Sequence, residues 1–312
     1  MKKLVIALFL IIASLELVTA QQDAQYTQYM YNTLVVNPAY AGSRGVLSLN
    51  GLYRSQWLGL DGAPTTQTLS VHSPAGKRVG LGLSLINDEI GNGTSQETTI
   101  DLAFSYTLQL AEERKLSFGL KAGGHLLNID FSRLAGYTEE QGANSFSNVD
   151  NKFSPNFGAG VYYHTNQFYF GVSVPNFLQT KHFDNSATSS SFLAKERINW
   201  YLISGYVFDM NSNLKVKPAI LFKMVNGAPL QADLSVTALI NQRFSLGAAY
   251  RWDAAISALA GFQITDKLMV GLAYDRETTE LGNTAFNDGS FEIFLRYELR
   301  RRPGRVITPR FF

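Results

Sequence analysis

The chain has no cysteine among its 312 residues. Disulfides, thiolate metal sites, cysteine nucleophiles and an N-terminal lipid-anchored cysteine are therefore excluded. Histidine is sparse: the four, at 72, 125, 164 and 182, share no short metal-binding spacing, so no metal site is expected. Charge of either sign is also lacking in excess, with 27 basic and 25 acidic residues, and this balance gives no basis for nucleic-acid binding. After the first twenty residues no run of about 18 apolar residues occurs, so no transmembrane helix is expected. Nothing resembles a nucleophile elbow. The glycine run "VGLGLS" at 79–84 falls in mid-strand, where it is no phosphate loop, and no cofactor is expected. Its glycines instead imply a wall kept bare at Gly80 and Gly82 for the close approach of another segment.

What is present is glycine, aromatics and alternation, with 26 Gly, 21 Phe and 15 Tyr. Residues 1–20, "MKKLVIALFLIIASLELVTA", combine Lys2 and Lys3, an apolar run and a small-residue ending, the pattern of a cleaved signal peptide. Export without a spanning helix leaves a secreted sandwich or a membrane β-barrel. The stretch "TTIDLAFSYTLQL" at 98–110 alternates without a slip between an apolar parity (Ile100 to Leu110) and a polar one. At about 3.3 Å per residue it spans roughly 40 Å, well beyond the usual strand of a soluble domain. About fourteen such segments lie between Val46 and Leu299, and Pro218 marks the least regular of them.

Their connections form two sets. Tight turns are expected at 73–77, 111–114, 164–167, 210–213, 241–242 and 265–267, on one side, called side B. Side A receives long loops near 87–96, 128–153, 176–197 and 276–289, with shorter links at 226–229 and 252–255. This asymmetry, and the even strand number, predict a transmembrane antiparallel β-barrel of about 14 strands, all-β, over residues 45–299, with both termini in the periplasm. The apolar parity would face lipid, and Tyr53, Trp57, Tyr106, Tyr163, Tyr274 and Tyr297 would form aromatic girdles. The polar parity, including Arg54, Gln56, Asp101, Lys121, Asp233, Arg243, Arg251, Asp275, Glu292 and Arg296, would face the lumen, where opposite charges satisfy each other.

Two segments fall outside the barrel. Residues 21–44 include "QYTQYMYNTLVVNPAYAGS" (25–43), whose Asn37, Pro38 and Tyr40 belong to a turn-prone hexapeptide; the segment is either a periplasmic leader or a lumenal plug. Residues 300–312, "RRRPGRVITPRFF", carry Arg300, Arg301, Arg302, Arg305 and Arg310 and end on Phe311 and Phe312. Such a basic tail in the periplasm would meet lipid head groups or a protein surface.

These end segments, together with "YRSQWLGLDGAPTTQTLSVHSPAG" at 53–76, "GLGLSLINDEIG" at 80–91, "NFGAGVYYHTNQFYFGVSVPNFL" at 156–178 and "FEIFLRYEL" at 291–299, resemble the PorP/SprF proteins of the type IX secretion system in Bacteroidota. The resemblance implies a non-enzymatic outer-membrane barrel of the secretion or gliding machinery. It would bind, help export or anchor a secreted cell-surface cargo with a type B C-terminal domain, and contact periplasmic lipoproteins or ring components. It implies no catalytic residues. The alternative function is a channel for a small hydrophobic solute, similar to the fatty-acid transporters. An apolar lumenal pocket would favour that channel, and a lumen packed by charges and the leader would favour a scaffold.

Overall fold

The computed structural model describes residues 25–133, 148–178, 198–226, 228–279, 282, 284 and 287–299. The expected signal peptide, residues 1–20, and the tail 300–312 lie outside them.

Fourteen strands run in order: β1 (Leu47–Ser55), β2 (Thr65–Pro74), β3 (Val79–Ile90), β4 (Ser95–Gln109), β5 (Lys115–Ile129), β6 (Val149–His164), β7 (Phe168–Val174) and β8 (Asn199–Tyr206, continued by Phe208–Asp209). Then come β9 (Leu214–Val225), β10 (Gln231–Ile240), β11 (Phe244–Arg251), β12 (Ala255–Gln263), β13 (Leu268–Glu277) and β14 (Ser290–Leu299). Each pairs antiparallel with its sequence neighbours, and β14 pairs with β1 from Leu47 opposite Leu299 to Ser55 opposite Phe291. The sheet closes, so no row of unpaired backbone groups is left to lipid.

Alternation fixes the facing. In β4 the even residues Ile100, Leu102, Phe104 and Tyr106 are exposed on the outer wall, Leu102 at 63%, while Thr99, Asp101, Ala103 and Ser105 are buried. A wall with exposed Leu and Phe all round and charges inside is a soluble protein inverted, which only a bilayer satisfies. Tyr53, Tyr106, Tyr274 and Tyr297 are exposed near strand ends, as girdle residues should be.

Pro218 lies in an unbroken β9, and the irregularity falls on its neighbour. The ladder to β8 lapses opposite Lys217 and Pro218 and resumes in the same register at Val216 opposite Phe208. A ring nitrogen cannot donate, so the adjacent strand relaxes there instead.

Three sequence expectations need correction. The long loop at 87–96 is a four-residue turn, because β3 and β4 stay paired up to Ile90 opposite Ser95. Their side chains turn polar there, which marks the end of the lipid belt and not of the backbone ladder. Trp57 has left its strand: it adopts a positive φ of 47° after β1 and donates its indole N–H to Glu277. Arg243 is exposed in the tight turn after β10, outside the lumen, because the turn takes one residue more than the two expected.

Candidate functional site in the barrel lumen

Residues 26–41 are buried almost throughout, and their partners come from strands all round the barrel. The segment therefore lies inside it. Its first part rests on a cage of buried charges. The Arg54 guanidinium (β1) lies 2.8 Å from Asp275 (β13) and 3.3 Å from Glu292 (β14), and donates to the Thr27 hydroxyl at 2.8 Å. Glu292 accepts two consecutive backbone N–H groups, from Thr27 at 3.0 Å and Gln28 at 2.9 Å. Beside it, Arg251 (β11) is paired with Asp233 (β10) at 3.1 Å and donates to the Tyr26 carbonyl at 3.3 Å and the Gln25 side chain at 3.0 Å. Desolvating these charges is costly, and the cost is offset only because each group meets an opposite charge or a backbone dipole. Burial pushes the Tyr26 and Tyr31 phenols up from their ordinary value, so both remain neutral hydroxyls.

The segment then crosses β1 and β2. Tyr31 stacks on Phe294 with ring centroids 3.9 Å apart, and its carbonyl accepts from Asn50 at 3.0 Å. The Arg296 guanidinium lies over the Tyr31 ring at 5.8 Å. Asn32 accepts from Ser70 at 2.8 Å. A single helical turn, Thr33–Val36, follows.

The second part lies on a shelf. Gly80 (β3), Ser105 (β4), Gly119 (β5), Gly160 (β6) and Ser173 (β7) stand directly opposite one another across successive strands, all on the inward face. Over this row run residues 36–42. The Val36 carbonyl accepts from Ser173 at 2.8 Å and the Ala41 carbonyl from Ser105 at 2.7 Å. A Cβ on Gly80 would come within 2.1 Å of the Ala41 oxygen, on Gly119 within 2.0 Å of the Ala39 nitrogen and on Gly160 within 2.1 Å of the Asn37 side chain. Gly82, the other bare position foreseen in this wall, faces Leu34. Asn37 caps the 3-10 turn Pro38–Tyr40 by accepting from Ala39 at 3.0 Å, and donates to the Val161 carbonyl at 3.0 Å. Tyr40 packs edge-on against His72 and Tyr162 at 5.3 and 5.6 Å. The hexapeptide ends at Gly42, whose φ of +69° and N–H to His72 turn the chain towards β1. Arg44 then pairs with Glu298 through an Nε contact of 2.7 Å.

Asn37, Pro38 and Tyr40 thus share one shelf, and Arg54, Arg251 and Arg296 surround the other half of the segment. Asp101 stands apart from the charge cage, paired with Lys121 at 2.7 Å, and Gln56 is half-buried beyond the end of β1. Arg300, Arg301, Arg302, Arg305, Arg310, Phe311 and Phe312 lie outside the described residues. Sequence reasoning missed the roles of Thr27, Gln28, His72, Glu298, Gly119 and Gly160. The recurrence of glycine at inward parity on three of four successive strands was the available signal for the last two.

Several solved barrels are similar in shape. They include the Acinetobacter baumannii outer membrane protein Omp33 (TM-score 0.48, 9% identity, covering 81% of this chain and 98% of that one). The Ralstonia pickettii toluene transporter TbuX gives a TM-score of 0.49 at 11% identity, covering 86% and 93% of the two chains. For the CymD monoaromatic hydrocarbon channel the values are 0.49, 13%, 91% and 95%. No curated protein sequence matches the chain. Residues 18–297, nearly the whole described barrel with its lumenal segment, match the family described as type IX secretion system membrane protein PorP/SprF. The chain belongs to that family, as an outer-membrane β-barrel of type IX secretion.

Proposed function

We propose that this protein is a closed scaffold that binds a secreted type IX cargo protein through its C-terminal domain, helps its export or anchors it at the cell surface. The observation that carries this reading is the filled lumen. Residues 26–41 occupy it, held by the Arg54, Asp275 and Glu292 cage and by the glycine shelf. A barrel that spends its interior on its own leader is suited to holding a partner at its rims rather than to conducting solute. Side A, with the long connections, is the surface offered to cargo, and side B, with the tight turns, faces the periplasm together with the C-terminal end of β14. Gln25 bonds Arg251 at the side A end of β11, so the N-terminal end of the lumenal segment points to side A. In this arrangement the tail, with Arg300, Arg301, Arg302, Arg305 and Arg310 and the pair Phe311 and Phe312, docks on a periplasmic lipoprotein or ring component.

Affinity purification of the tagged protein from its own outer membrane tests both contacts. The intact chain should bring down one surface protein with a C-terminal secretion domain and a periplasmic component. A folded barrel truncated after Pro309 should keep the first and lose the second. Recovery of the same periplasmic partner without Phe311 and Phe312 would defeat the docking role, and recovery of no surface protein by the intact chain would defeat the scaffold.

A further inference from the structure

Two strand glycines point outward from the barrel wall. Gly124 is covered, since a Cβ there would come within 2.5 Å of the Phe153 ring. Gly51, in the middle of β1, is bare: a Cβ on it would meet nothing within 4 Å, and it has no positive φ to require glycine. Glycine inside a strand costs about 0.5–1 kcal/mol relative to alanine and leaves no side chain to pack. Neither backbone geometry nor a close neighbour accounts for it.

Its absent side chain leaves a groove of about 400 Å³ on the outer wall across β14, β1, β2 and β3, within the roughly 300–1,000 Å³ usual for small-molecule sites. Gly51 is directly opposite Leu69 on one side and Leu295 on the other, so these side chains are the groove's banks, with Leu85 beyond Leu69. Towards side A the groove meets Tyr53 and then turns polar, because Tyr53 stands opposite Gln67 and Gln67 opposite Asn87. Gln67 is exposed, and its side chain makes no hydrogen bond among the described residues. Asn87 accepts from Thr98 at 3.0 Å through its carbonyl oxygen, leaving its amide N–H groups to donate. The trough is therefore apolar along its length and closed at one end by amide donors at girdle depth. At that depth the apolar belt gives way to the interface, where lipid ester and amide linkages lie and can accept from these groups.

We propose that the groove seats one acyl chain of a bilayer lipid, whose ester or amide linkage accepts hydrogen bonds from Gln67 and Asn87. An amphiphile matches both halves of the groove. A second barrel does not, because its convex belt would bring apolar side chains against the amides. On the inner side of the same wall Thr68 and Phe294 hold Tyr26 and Tyr31, so the site backs directly onto the lumenal segment.

The test is native mass spectrometry of the full-length barrel released from micelles of a mild detergent doped with phosphatidylethanolamine. The wild type should carry one retained lipid. Gly51→Leu, whose Cβ meets no neighbour and whose side chain fills the groove between Leu69 and Leu295, should lose it while the barrel stays folded, and Gln67→Leu should weaken retention. Ala258→Leu, exposed on the outer face of β12 two strands away from β14, should leave it unchanged. Equal retention in wild type and Gly51→Leu, or no retention in the wild type, overturns the proposal. A dimer mass lost on Gly51→Leu, without bound lipid, would assign the groove to a second copy and overturn it as well.

Discussion

At the scale of single residues, the lumen is governed by what burial demands of charge. Among the described residues Arg54 is the one cation paired with both Asp275 and Glu292, and all three side chains are almost fully buried. Replacing Arg54 with Leu leaves two carboxylates facing each other without a counter-charge, which should cost about 3–5 kcal/mol. The urea midpoint of the refolded barrel in lipid vesicles should fall accordingly. The loss should shrink at acid pH, where protonation removes the uncompensated charge. Adding Asp275→Asn and Glu292→Gln to Arg54→Leu should restore most of it. Full stability of the single variant would mean that the cage contributes nothing. That these residues face inward was legible from parity alone. Which of them meet was not, because Arg54 and Asp275 are 221 positions apart in sequence and are joined through Thr27 of a segment that alternation does not describe.

At the scale of elements, each strand carries a lipid face and a packed face, and neither is open. Polar parity alone suggests that an arginine there would be harmless, yet Ser105 is fully buried and donates to Ala41, so bulk is excluded there as firmly as charge is outside. The outer face should show depth instead. Leu102→Arg, in the middle of the belt, should cost about 2–4 kcal/mol, whereas Leu110→Arg, just past the end of β4, should cost about 0–1. Both residues are exposed to the bilayer side. Equal costs in vesicle refolding would contradict the placement of the belt. Element ends were the least legible feature. The polar stretch 87–96 reads as a loop because side chains lose their apolar alternation where the wall leaves the bilayer, while backbone pairing, which needs no side chain, continues for several residues on either side of the turn. The bare wall at Gly80 and Gly82 was readable because glycine in mid-strand weakens the strand and is kept where a side chain would block a close approach. The full shelf was not, since Gly119, Gly160 and Ser173 become a row only once the register of five strands is fixed.

At the scale of the whole molecule, closure of the sheet and occupation of its interior are two separate facts, and function turns on the second. Fourteen strands enclose a space wide enough for a polypeptide to fold back through it, and residues 26–41 do so with a charge cage at one end and a glycine shelf at the other. Under the proposed function, a barrel filled in this way acts as a scaffold and not a channel. Conductance of the purified protein in planar bilayers tests that claim most directly. The intact protein should show little or no steady current, and a variant lacking residues 25–43 should either open large pores or fail to fold, since the shelf and the cage lose their partners together. Large, stable openings from the intact protein would contradict the scaffold.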